Sequence, residues 1–124
     1  MVARAYASTD TTGWLRARQV KLVWSGLLNT DSGDWVDLGA LSDKTMQVLG
    51  TFGVGGTLVI QGSNDGGTTA ATLTDEQGTA LSFTAAGMKL ILQNPEKIRP
   101  LVTGGDETTD LTVIVCAIAS GGDT

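Results

Sequence analysis

At 124 residues the chain has the length of one domain, enough to bury most of its unfolded surface without metals or disulfides. It contains no histidine and a single cysteine, Cys116, which excludes Ser-His-Asp and Cys-His catalysis, an internal disulfide and a zinc site of ordinary ligands. The net charge of −5 is uneven: residues 1–22 carry +3, with Arg4, Arg16, Arg18 and Lys21 against Asp10, and the remainder carries −8. An acidic body lacks the basic face that nucleic-acid phosphates require.

In chain order, the opening "MVARAYASTDTTGWLRAR" lacks the apolar centre of a signal peptide, and no stretch supplies the roughly 20 apolar residues of a spanning helix. A soluble protein without a membrane partner is expected. Residues 1–19 read as an extended arm that orders on a partner surface, with Trp14 as apolar anchor and Arg16 and Arg18 as charged contacts. "QVKLVWSGLL" (19–28) then alternates Val20, Leu22 and Trp24 against Lys21, Val23 and Ser25, the period of a half-buried strand with Trp24 in the core. After the turn "NTDSGDW", Trp35 opens "WVDLGAL" and is placed over the end of the fold or at an interface. "TMQVLGTF" sends Met46 and Val48 one way and Gln47 and Leu49 the other, "GVGG" turns the chain and "TLVIQG" returns it.

The compact "SNDGG" (63–67) holds Asp-Gly between two strand-like runs, a hairpin cue because these residues tolerate positive φ. "TAATL", "TALSF", "MKLIL", "KIRPLV" and "DLTVIVCAIA" follow, separated by turns. Residues 85–93 admit one or two helical turns, but Gly87 and Asn94-Pro95 favour a strand. Pro100, lacking a donor, predicts a sheet edge or a bulge. The closing run is apolar on both faces: Leu111, Val113, Val115 and Ala117 on one, Ile114, Cys116 and Ile118 on the other. It is therefore either central and covered on both sides or donates its outer face to a neighbouring subunit. Cys116 reads as a small buried hydrophobe.

Eighteen threonines and 17 glycines suit sheets and turns better than helices. About eight strands at this spacing predict an all-β antiparallel sandwich of jelly-roll type over residues 20–119, with 120–124 as a flexible tail.

The chemistry is largely one of absences. The pairs Asp75-Glu76 and Asp106-Glu107 sit in turns, where acids are usually solvated; "GSNDGG" lacks the calcium-loop spacing, and "GTFGVGG" lacks the lysine and helix of a phosphate cradle. No enzyme, cofactor or metal is expected.

Two resemblances bear on function. "LVIQGSNDGG" with the later Ile98-Arg99 resembles discoidin-like, galactose-binding jelly rolls, although Ala70 or Ala71 stands where that family has a Trp, and its ligand loops are not recognisable. More widely, "VWSGLLNTDSGDWVDLGALSDKTMQVLGTFGVGGTLVIQGSNDGG", "LTDEQGTALSFTAAG" and "KIRPLVTGGDETTDLTVIV" are similar in texture to small structural proteins encoded beside the capsid genes of tailed bacteriophages. That likeness implies a virion component made in the host cytoplasm, in the role of a capsid decoration or cement protein. Its implied partners are the major capsid protein and itself, as a homotrimer in preference to a dimer, with no nucleic acid. Subunit contacts are then expected at Ile114, Cys116 and Ile118. A carbohydrate-binding module and a head-tail or tail component are the alternatives; the loop tips carry no aromatic for a sugar ring.

Overall fold

A computed structural model describes residues 3–4, 6–10, 18–38 and 41–119. Among them are twelve strands and no helix: β1 (Ala3–Arg4), β2 (Tyr6–Asp10), β3 (Arg18–Leu27), β4 (Ser32–Gly33), β5 (Val36–Asp37), β6 (Leu41–Thr51), β7 (Thr57–Ser63), β8 (Ala71–Thr72), β9 (Ser82–Phe83), β10 (Gly87–Ile91), β11 (Lys97–Thr103) and β12 (Asp110–Ala119). Residues 87–91 are thus a strand, the reading that Gly87 and Asn94-Pro95 favour over helical turns.

The strands form two stacked sheets, one ordered β10-β6-β12-β3-β2 and the other β1-β4-β11-β7-β8, with β5 on β11 and β9 on β7. Taking β4 with β5 and β8 with β9 as interrupted single strands, eight strands run from β3 to β12. Their order is one-eight-three-six in the first sheet and two-seven-four-five in the second. This is the jelly-roll order, in which the first strand lies beside the last and the chain passes repeatedly between the layers.

Alternation decides which side chains fill the gap. Leu22 and Trp24 of β3, Met46 and Val48 of β6, Leu58 and Ile60 of β7, Ile98 and Val102 of β11, and Leu111, Val113 and Val115 of β12 make one continuous buried cluster. Two bulges shift this phase. Gly26, at φ +67°, gives β3 an extra residue opposite Leu111–Val113, so that Leu27 rejoins the inner face after Trp24. Asp43, at φ +47°, does the same in β6 opposite Cys116–Ile118, and the next residue, Lys44, is turned fully into the interior.

Three expectations change. Of the two places expected for Pro100, a sheet edge or a bulge, the edge is not found, since β11 lies between β7 and the β4/β5 strand, and a bulge-like irregularity stands opposite it. The missing N–H is tolerated because the register of β11 shifts by one residue between its pairings with β5 and with β4, leaving Pro100 opposite the gap between them. The carbonyl of Asp34, in that gap, accepts instead from the indole of Trp24, Nε1 to O 3.1 Å. The acids in turns are not all solvated: Asp75 is buried and accepts from the Gln77 and Thr79 amides at 2.9 and 3.0 Å. Cys116 is half-buried on the outer face of β12, so it is not a core residue.

Part of the segment read as an arm is laid along the sandwich. β2 pairs antiparallel with β3 from Tyr6↔Trp24 to Asp10↔Val20, and β1 pairs in parallel with β4 in the other sheet. Trp14, Arg16 and the tail 120–124 lie outside the described residues.

Candidate binding surfaces

Two surfaces carry unused chemistry. The first is the outer face of the sheet β10-β6-β12-β3-β2. β12 is central in that sheet and its inner residues are buried, whereas its outer residues keep part of their exposure: Ile114 and Cys116 are half-buried and Ile118 is 37% exposed. Register extends the patch. Ile114 stands beside Gln47 and Val23, Thr112 beside Leu49, and Met88 beside Gln47, so these side chains share one face. Leu49 and Met88 are 39% and 59% exposed. The three expected interface residues therefore lie on one face of the sheet, with Gln47 beside Ile114, Lys21 and Thr45 beside Cys116, and Gln19 and Ser42 beside Ile118. Of the expected partner-contact residues, Arg18 is the first residue of β3, paired with Ala119 at the end of this same sheet.

The second surface is a groove of about 580 Å³ between the turn after β7 and the connection from β10 to β11. Its polar walls are Asn64, Asp65, Gln93 and Asn94, and its floor is Ala70, Ala71, Leu73 and Pro95. The "SNDGG" turn is a wide hairpin loop and not a tight two-residue one, since β8 resumes pairing with β7 only at Gly62↔Ala71. Asp65 organises it: Oδ1 accepts from the Thr69 amide at 2.8 Å and from the Ser63 hydroxyl at 2.7 Å. The Thr69 N–H first, and the Ser63 hydroxyl second, hold this carboxyl well below its ordinary range, at about 2. Across the groove, Asn64 Oδ1 accepts from the Glu96 amide at 2.8 Å and Glu96 Oε1 accepts from the Gly66 amide at 2.9 Å, tying the two loops together.

Beneath the second loop, the buried ammonium of Lys44 donates to Asn94 Oδ1. Burial lowers the pKa of Lys44, partly opposed by the neighbouring Asp43 carboxylate. At the back of the turn, Trp35 packs against Gly67, where a Cβ would lie 2.7 Å from its Nε1, and the Arg99 guanidinium stacks 4.5 Å from the Trp35 ring centre. Arg99 Nε also donates to Gln61 Oε1 at 2.9 Å. Trp35 thus braces the loop from outside and does not line the groove.

Sequence reasoning missed Lys44, Asn94 and the Trp35-Arg99 stack. Lys44 was in phase with Met46 and Val48 and so legible as inward-facing; nothing local marks the other two. Among the described residues no three His, Cys, Asp or Glu side chains cluster to hold a metal ion.

No family model matches the chain. No curated protein matches it either. Among solved structures, the chain is similar in fold to the SPBc2 prophage-derived protein YomS, with a TM-score of 0.61 at 14% identity over 81% of this chain and 94% of that one. Weaker likenesses are to a cupin domain from Bordetella pertussis Tohama I, at 0.36 and 13%, covering 95% of this chain and 97% of that one, and to the cysteine peptidase Peruvianin-I from Thevetia peruviana latex, at 0.39 and 13%, covering 96% and 64%. The two-sheet antiparallel sandwich is thus an architecture that a prophage-derived protein shares across nearly its whole length.

Proposed function

We propose that this chain is a structural component of a bacteriophage particle that works by adhesion without turnover, in the role of a capsid decoration protein. The observation that carries the reading is the fold shared with a prophage-derived protein over 94% of that protein's chain. The outer sheet face supports it: Ile114 near Leu49 and Met88, and Ile118 further along β12, set apolar side chains among Gln47, Thr45 and Lys21, a mixed surface of the kind protein contacts use. In this reading that face joins subunits, as a trimer, and Trp14, Arg16 and Arg18 meet the shell.

The test separates the two contacts. Light scattering after size exclusion at micromolar concentration is expected to give an oligomer for the native chain and a monomer for Ile118→Asp combined with Leu49→Asp. Co-sedimentation with purified shells of the encoding phage is expected for the native chain, and its loss for Trp14→Ala combined with Arg16→Ala. A native chain that stays monomeric, or shells that do not retain it, rejects the corresponding half of the proposal. Substitution is the better probe of the shell contact, because deleting residues 1–18 also removes the strand that pairs with β3.

A further inference from the structure

We propose that the groove between residues 63–73 and 93–95 is a binding site for a neutral, hydroxyl-rich ligand, a short saccharide. The proposal is independent of the particle role and of the outer sheet face, and rests on which polar atoms the fold has already used.

Both asparagines are locked with the same end outward. Asn64 Oδ1 is taken by the Glu96 amide and Asn94 Oδ1 by the Lys44 ammonium, so each side chain has its NH2 left to offer. Asp65 accepts from the Ser63 hydroxyl and the Thr69 amide through Oδ1, and the Thr69 side chain is a further donor to the carboxylate. Neither asparagine amide nitrogen has a partner among the described residues, and the ionised Asp65 carboxylate keeps acceptor capacity beyond its bonds to Ser63 and Thr69. The groove therefore presents two amide donors and one carboxylate acceptor around an apolar floor of Ala70, Ala71, Leu73 and Pro95. A sugar ring matches this set. Its hydroxyls each donate and accept, and its C–H face lies against apolar carbon.

Other ligand classes fit less well. An anion would meet the Asp65 carboxylate, with Glu96 alongside, on a chain of net charge −5. An apolar molecule would strip water from three polar groups and return no hydrogen bond. The groove lies within the range of small-ligand sites, and its walls are fixed in advance by bonds between the two loops, which reduces the ordering cost of binding. The Lys44 ammonium, donating to the carbonyl end of Asn94, polarises that amide and strengthens it as a donor.

The experiment is a glycan array with the full-length chain, followed by an amide-detected NMR titration with free D-glucose, D-galactose, D-mannose, L-rhamnose and N-acetyl-D-glucosamine up to tens of millimolar. At least one sugar is expected to shift the side-chain NH2 resonances of Asn64 and Asn94. Asn94→Ala should weaken its affinity about tenfold, the loss of one hydrogen bond. Ala71→Trp fills the groove from an exposed position while keeping every side-chain bond described above, and should abolish binding with an unchanged melting temperature. If Asn94→Ala does not fold, Ala71→Trp alone decides. No binding on the array or in solution, shifts confined to another surface, or undiminished binding by Ala71→Trp would each overturn the site.

Discussion

Lys44 is a fully buried ammonium whose hydrogen-bond partner is a neutral amide, an arrangement that works against folding at neutral pH. Burial places its folded pKa below the 10.5 of the unfolded chain. The sign follows: the folded state holds this proton less tightly than the unfolded one. The penalty is thus complete below the folded pKa and is relieved as pH rises through that value toward 10.5. Lys44→Met keeps the stem that packs between the sheets and removes the charge, while Asn94, which is exposed, exchanges the ammonium for water. The variant is expected to be more stable than the native chain by about 0.5–2 kcal/mol at pH 7. Melting curves should show that advantage shrinking by pH 10.5, and a less stable Met variant at pH 7 would mean that the Asn94 bond outweighs desolvation. The residue is nonetheless well placed for its bond, since it stands in phase with Met46 and Val48 on the inner face of β6.

At the scale of elements, the weakest-looking join in the fold is the one between β11 and the interrupted β4/β5 strand, where a proline sits in mid-sheet. Trp24 repairs it from the opposite layer, and the repair depends on Gly33: a Cβ there would lie 2.5 Å from Trp24 Cδ1 and 2.7 Å from Pro100 Cδ, both in buried, rigid rings. Gly33→Ala is expected to cost about 1–3 kcal/mol, read as a fall in denaturation midpoint. In a Trp24→Phe background, which lacks the indole Nε1, the same substitution should cost less; additive losses would show that the two residues do not share one contact. Such a join explains what could and could not be read beforehand. The strands were legible because period-2 alternation names their inner faces directly, from Leu22 and Trp24 to Val113 and Val115. The interior place of Pro100 was not, because its tolerance depends on a register shift in one neighbouring strand and an indole 76 positions earlier in the chain. The "SNDGG" turn was legible as a corner, but its groove depends on Gln93 and Asn94, brought to it by strand order alone. The outer apolar residues of β12 were visible in the sequence, with two readings open, and the fold takes part of each: the strand is central, and its outer residues, half-buried at Ile114 and Cys116, are exposed at Ile118.

For the molecule as a whole, the described core is drawn from Val20 onward, so the jelly roll proper is closed by β3 to β12 and the first two strands are additions to its edges. β2 covers the free side of β3 along five residue pairs, and β1 covers β4 at two. Exposed edges of this kind offer unpaired N–H and C=O groups to other chains, and a covering strand is one way to blunt them. Removing residues 1–10 takes away these covers without touching the described buried cluster. The shortened chain is expected to melt in a single cooperative transition at a lower temperature, with its β-type circular dichroism unchanged, and to form high-mass species at concentrations where the native chain does not. Combining the truncation with Ile118→Asp and Leu49→Asp distinguishes this edge pairing from contact through the sheet face: aggregation through the β3 edge persists in the double variant, whereas contact through the face disappears. A truncated chain that unfolds outright would instead make the first ten residues part of the folding unit, because edge strands that only cover can be removed and strands that complete a core cannot.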